Sequence, residues 1–290
     1  MRKISASFIF PVSSPPIKRG VVVIDADGKI LEVQNTLEHE VEGVEYYDGI
    51  IIPGIVNTFC DKSRIKLIED IETSRRFAHQ QYHSGSVLMG TDYDKFAWHD
   101  DVADQHVTIT PVNYWISESS QFVDNEQFHK TLPTVLEIAL KDNCWESALN
   151  QLLQLPNDTN LIIHSSNKIP VEIIATAIKH FPNCHFTIYP DDSMESIISI
   201  TGLVHKLAIG SGQNSLVELP KLFRSIQQYN IDTPLEEMFR WATLNGAKAL
   251  KMEQTFGSLE KGKKPGILLL TGINMQLFKL TEEAKLQRLI

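Results

Sequence analysis

Short apolar runs separated by turn residues characterise the first fifty residues and favour β-strands. Residues 20–34 (GVVVIDADGKILEVQ) place two such runs on either side of Asp27-Gly28. This arrangement predicts a hairpin, because glycine adopts a positive φ without the Cβ clash that other residues suffer. A similar pattern of short strands and turns begins near residue 256. Both terminal segments are therefore predicted to be β-rich.

Strand-like and helix-like patterns alternate between these two segments. Short apolar runs predict strands at residues 86–92, 106–115, 160–165, 185–190 and 206–212. Longer mixed runs predict helices at residues 66–83, 128–155, 169–180, 215–229 and 233–250. Strands that alternate with helices indicate parallel strands joined by helical crossovers.

The alternation predicts an α/β fold with parallel strands over residues 53–255, and the family resemblance given below implies that they form a shortened or distorted (β/α) TIM-type barrel. The β-rich segments, residues 1–52 and 256–290, predict a small composite β-sandwich domain. The barrel segment has about 200 residues, near the lower limit for eight strand–helix units. A barrel that lacks a unit leaves two strand edges with unpaired N–H and C=O groups. A second copy of the chain is therefore one expected partner.

Charge and cysteine content narrow the range of functions. The chain has 290 residues and a net charge of −9, and it contains no Lys/Arg block. Nucleic acids and anionic membranes are therefore not expected as partners. The three cysteines, Cys60, Cys144 and Cys184, form no Cys-x-x-Cys pair, so neither a disulfide framework nor a zinc ribbon is indicated. The expected location is the cytoplasm.

Two motifs identify a resemblance to a known family. Residues 51–62 (IIPGIVNTFCDK) resemble the first barrel strand of the metal-dependent amidohydrolases. Residues 241–270 (WATLNGAKALKMEQTFGSLEKGKKPGILLL) resemble the C-terminal signature of the same family, nearest to its cytosine/guanine deaminase and aminofutalosine deaminase-like branch. The resemblance implies a barrel that holds a divalent metal, zinc or iron, which lowers the pKa of a bound water to supply hydroxide.

The sequence departs from the family pattern at the positions that carry this chemistry. The first-strand His-x-His of the family corresponds to Phe59 and Asp61. The aspartate of the last barrel strand corresponds to Gly212. The fifth-strand histidine, followed by a glutamate acid/base, has no expected match between residues 115 and 160, and His164 matches a histidine of a later strand. The first interpretation is a pseudoenzyme without a metal cofactor, which binds or assembles with a partner such as an active relative.

Two other interpretations stay open at this point. In the first, Asp61 and His164 belong to a rebuilt site that holds zinc or iron, and the protein is a hydrolase or deaminase acting on non-peptide C–N bonds. In the second, the turn with Gly210, Ser211, Gly212 and Ser215 binds an anion or another small molecule without metal, since it follows a strand and begins a helix. The same residues also fit ordinary structural roles: a rim carboxylate, a hydrogen-bonded histidine, and a turn whose Ser215 caps a helix.

Overall fold

The computed structural model describes residues 1–35, 41–60, 71–92, 110–118, 134–138, 150, 153–165, 171–188, 204–211, 216–229 and 232–290. The strands described are β1 (Arg2–Ile9), β2 (Ile17–Lys18), β3 (Val21–Ile24), β4 (Ile30–Gln34), β5 (Glu45–Pro53), β6 (Ile55–Asn57), β7 (Ser86–Asp92), β8 (Thr110–Glu118), β9 (Thr134–Ile138), β10 (Leu161–Ser165), β11 (Cys184–Ile188), β12 (Leu207–Ile209), β13 (Ile267–Asn274) and β14 (Lys279–Arg288). The helices described are α1 (Ile71–His83), α2 (Val171–His180), α3 (Leu219–Tyr229), α4 (Leu235–Ala242) and α5 (Leu244–Ala249), with a short 3₁₀ helix at Val204–Lys206.

One sheet combines strands from both ends of the sequence. Its order is β14-β13-β5-β1-β3-β4, and β2 pairs with β1. The predicted hairpin at Asp27-Gly28 is confirmed as β3 and β4: Gly28 has a φ of 74°, and the Asp25 carboxylate accepts the N–H groups of Asp27 and Lys29 at 2.9 Å each. β13 pairs with β5, so the C-terminal strands complete the sheet that the first residues begin.

The second sheet is entirely parallel and closes on itself. Its order is β12-β11-β10-β9-β8-β7-β6. The chain just after β6 bonds to the end of β12: Thr58 N–H donates to the Ile209 carbonyl at 2.9 Å, and Ser211 N–H donates to the Phe59 carbonyl at 2.9 Å. These bonds form a seam between the first and last strands of the sheet. The fold is therefore α/β with a TIM-type barrel, as the sequence predicted.

Alternate residues of the barrel strands face opposite sides, because successive side chains of a strand point to opposite faces. Leu161, Ile163, Cys184, Phe186 and Ile188 pack in one apolar cluster with residues of the surrounding helices, so they face outward. The residues between them, Ile162, His164, His185 and Thr187, therefore face the lumen of the barrel. All four are buried.

Two predicted helices differ from the structure. Within 128–155, where a helix was expected, residues 134–138 (TVLEI) form β9 between β8 and β10. A central strand suits this run, which is rich in β-branched residues, better than a helix does. The helix expected over 233–250 is divided into α4 and α5, because Thr243 leaves helical geometry with a φ of −134° and its hydroxyl donates back to the Phe239 carbonyl at 2.7 Å.

The division into residues 1–52 with 256–290, and 53–255, stays a prediction. Among the described residues, no helix is both long and apolar enough to cross a membrane.

Candidate functional site

The Pro53-Gly54 break places the first barrel strand tightly against its neighbours. A Cβ on Gly54 would lie 2.3 Å from Val87 Cγ1 and 2.6 Å from the Pro265 carbonyl oxygen. The Gly54 N–H donates to that same oxygen at 3.0 Å. Glycine at position 54 therefore allows the chain to pass from the small sheet directly into the barrel.

A buried polar link reinforces the seam of the barrel. Asn57 Nδ2 donates to Ser211 Oγ at 3.0 Å, and Ser211 N–H donates to Asn57 Oδ1 at 2.9 Å. Both residues are fully buried. Neither was singled out for this role in the sequence, because 154 residues separate them and only the closed barrel brings them together.

Phe59 and His164 form a stacked pair of rings inside the barrel. Their centroids are 3.8 Å apart and their planes are inclined by 29°. Phe59 has no exposed surface and His164 is 4% exposed. The structure therefore brings together Phe59, which is predicted to correspond to the first-strand histidine of the family, and His164, the one histidine that the sequence analysis retained.

His164 lies on β10, which is the fifth strand of the parallel sheet counted from β6. Which strand of the family β10 corresponds to stays a prediction, as does the expected match of His164 with the histidine of a later strand. The residues after His164 are Ser165, Ser166 and Asn167, so no carboxylate follows directly on this strand.

His185 and Thr187 face the lumen on the neighbouring strand, β11. His185 pairs in register with Ile162. Burial, aided by the charge of Lys206, lowers the pKa of His185 to about 3, so its imidazole is neutral.

Comparison with known proteins assigns the chain to a family. The Amidohydrolase family model matches residues 115–290, which is more than half of the chain. The chain belongs to the amidohydrolase family. No curated protein matches this amidohydrolase in sequence.

Several solved structures share the fold of this amidohydrolase. An adenosine deaminase from Xanthomonas campestris with bound zinc superposes with a TM-score of 0.65 and 15% identity, covering 95% of this chain and 85% of that one. The Helicobacter pylori aminofutalosine deaminase in complex with methylthio-coformycin superposes with a TM-score of 0.66 and 13% identity, and the match covers all of both chains. A guanine deaminase from C. acetobutylicum with bound guanine superposes with a TM-score of 0.59 and 14% identity, covering 96% of this chain and 92% of that one. At these identities the likeness shows the fold.

The described residues at the barrel mouth do not fit the metal that the family implies. Phe59 has no donor atom, and its ring covers a face of His164. The Ser211 hydroxyl is occupied by Asn57 and by the Phe59 carbonyl, at 3.0 and 3.5 Å. Within the described part of the chain, no three His, Cys, Asp or Glu side chains gather to hold a metal ion.

The described half of the glycine-rich turn directs its amides into the protein. Gly210 N–H donates to the Ile188 carbonyl at 3.0 Å, and Ser211 N–H donates to Phe59 and Asn57. A Cβ on Gly210 would lie 2.6 Å from Thr187 Cγ2, so the turn packs directly against the lumen. Gly212 and Ser215 lie outside the described residues, as does Asp61, and the roles expected for them stay predictions.

Proposed function

We propose that this chain is an amidohydrolase-fold protein that has lost metal-dependent hydrolysis and acts by binding or assembly. The Phe59–His164 stack is the observation that carries this proposal. The position that gives the family its first ligand holds a fully buried phenyl ring against the histidine of the fifth strand. Burying a phenylalanine side chain contributes roughly 1.5–3 kcal/mol to folding, so the ring acts here as core.

The scaffold around that ring supports the same proposal. The Pro53-Gly54 passage, the Asn57–Ser211 link and the backbone bonds of the seam all maintain the barrel. None of them supplies a metal ligand. A barrel mouth that keeps its closure but places phenylalanine at position 59 suits a protein selected for its shape and surface.

Metal content decides between this proposal and the hydrolase interpretation. We expect purified protein, handled without chelators and without added metal, to contain well below one zinc or iron per chain by elemental analysis. The hydrolase interpretation requires about one metal per chain, and it requires His164→Ala to remove both the metal and C–N bond hydrolysis. Stoichiometric metal in the wild-type protein would refute the proposal.

A substitution that adds a metal ligand at position 59 tests the same proposal more sharply. In Phe59→His a second imidazole replaces the phenyl ring beside His164, and imidazole nitrogens are good ligands for zinc. We expect Phe59→His to bind added zinc more tightly than the wild type does, by at least tenfold in Kd. Phe59→Leu is the matched control and should bind as the wild type does. Equal zinc affinity in all three proteins would show that position 59 does not limit metal binding.

The proposed role includes assembly with a partner, which is either a second copy of this chain or an active relative. The seam between β6 and β12 is closed by bonds within one chain, so a partner is not needed to cover those edges. A partner would act through the outer surface instead. Light scattering of the purified protein tests for a homo-oligomer. If the protein is a monomer at micromolar concentration, self-assembly is excluded and an active relative is the remaining candidate partner.

A further inference from the structure

Two histidines lie one turn apart on the outer face of α1. They are His79, which is half-buried, and His83, which is exposed. The buried residues in the same half of this helix are Phe77, Ala78 and Gln81. Because successive residues of an α-helix advance by about 100°, both histidines lie on the side opposite these three. They therefore point away from the core, and neither takes part in the seam or in the stack.

The two imidazole rings are already neighbours. Their centroids are 6.3 Å apart and their planes are inclined by 26°. A tetrahedral zinc ion, with Zn–N distances of about 2.0–2.1 Å, places two ligand nitrogens roughly 3.3 Å apart. Side chains at positions i and i+4 of a helix reach such a distance by rotation alone. Two histidines with this spacing on one helix face are a known arrangement of zinc ligands.

The end of the helix on which the pair lies also favours a cation. His83 is the last residue of α1, and the C-terminal end of a helix carries a partial negative charge. The whole chain has a net charge of −9. The two arginines of α1, Arg75 and Arg76, lie about two turns before His83. Arg76 also forms an ion pair with Glu72 at 3.7 Å. The repulsive charges of this helix therefore lie towards its other end.

Space for further ligands lies beside the pair. His83 lines a cavity of about 390 Å³, together with Tyr82 and residues 286–290. Water can therefore complete the coordination of a metal that has only two protein ligands. A metal-bound histidine usually keeps a hydrogen bond on the ring nitrogen that does not bind the metal. Contacts that either ring makes through one nitrogen are thus compatible with coordination through the other.

We propose that His79 and His83 form a surface binding site for a divalent transition-metal ion such as zinc. Imidazole nitrogens suit zinc, copper and nickel, whereas magnesium prefers oxygen ligands. The site goes beyond the proposed function, because it lies on the outer face of α1 and uses none of the positions that correspond to the family's metal ligands. With two ligands and open access to water, it binds metal that is supplied in solution and releases it during purification.

Calorimetric titration with zinc chloride tests the site. We expect the wild-type protein to bind zinc, and His79→Gln and His83→Gln to bind it at least about tenfold more weakly, since losing even the partner of a metal ligand typically costs 10–100-fold. His180→Gln is the matched control, because His180 also ends a helix but has a threonine four residues before it. It should bind as the wild type does. Equal zinc affinity in all four proteins would overturn the proposal.

Thermal unfolding shows whether the ion binds the folded helix. Without metal, the three variants should unfold at the temperature of the wild type. Added zinc should raise the Tm of the wild type and of His180→Gln but not of His79→Gln or His83→Gln, because a ligand that binds only the folded state stabilises it. The same amount of magnesium chloride should raise none of them. A zinc-dependent rise in all four proteins, or in none, would overturn the proposal.

The metal content of the protein as purified tests the proposed function separately. Stoichiometric metal that persists in His83→Gln would lie elsewhere in the chain and would refute only the loss of metal-dependent hydrolysis. Zinc affinity that ignores both α1 histidines would refute only the surface site. The two proposals can therefore fail independently.

Discussion

Asn57 is the last residue of β6 and Phe59 lies two residues beyond it, yet the two side chains make different kinds of contact. Asn57 forms a polar link to Ser211 across the seam, whereas Phe59 forms an apolar stack with His164. The first contact helps to close the barrel, and the second packs two rings inside it. The comparison teaches that closure and packing of the lumen depend on different side chains of one segment. Under the proposed function, the closing contact persists although phenylalanine stands where the family is expected to have a metal ligand.

Phe59→Ala should have the largest effect on stability. The phenyl ring is fully buried, and truncating such a ring leaves a cavity that typically costs about 3–5 kcal/mol. Urea unfolding measures the loss. Tyr229→Ala on the exposed end of α3, where 59% of the side chain is accessible, is the control and should change stability by less than about 0.5 kcal/mol. A loss below about 1 kcal/mol in Phe59→Ala would show that the ring is not core.

Asn57→Ala should cost less, about 2 kcal/mol, because it leaves the Ser211 N–H and hydroxyl buried with fewer partners. A double-mutant cycle with Ser211→Ala isolates the link. We expect the double variant to lose clearly less than the two single losses added together, because both partners are then absent. Strict additivity would mean that the link does not stabilise the seam.

The smallest effect, taken over a single pH unit, concerns His185 in the lumen. The pKa of His185 is about 3 in the folded protein, against about 6.5 when unfolded. Between pH 6.5 and 3 the His185 imidazole is therefore protonated in the unfolded chain but neutral in the folded chain. Stability should fall by about 1.4 kcal/mol per pH unit as pH drops from 6.5 towards 3. His185→Gln removes this contribution. Between pH 6 and 4.5, the free energy of unfolding of the variant should therefore change with pH less steeply than that of the wild type, by about 1.4 kcal/mol per pH unit, which corresponds to one proton. Identical slopes would contradict a neutral buried His185.

The sequence predicted the elements that local pattern determines. Asp27-Gly28 marked the first hairpin, and the strands at 86–92 and 160–165 lie where expected. The strand at 134–138 was missed, because a short buried strand and part of a helix have similar apolar content.

The candidate site was predictable only in part. Phe59 was singled out because a motif marks its position, and the chemistry of a phenyl ring alone predicts that it cannot bind a metal. The Asn57–Ser211 link and the stacking of Phe59 on His164 depend on barrel closure, which no local pattern encodes. Thr187 carried one usable signal: it alternates with the apolar residues of β11 and so lies on the inward face.

The pairing of β5 with β13 has a consequence for biosynthesis. β5 carries Ile50, Ile51 and Ile52, all fully buried, and its second neighbour begins only at Ile267. A ribosome adding about 5–20 residues per second takes roughly 10–40 seconds to make the intervening chain. During that interval the nascent protein exposes an isoleucine-rich edge, the kind of segment that pairs with other chains. Slow translation or scarce chaperones would therefore reduce the yield of this protein even where the finished fold is stable.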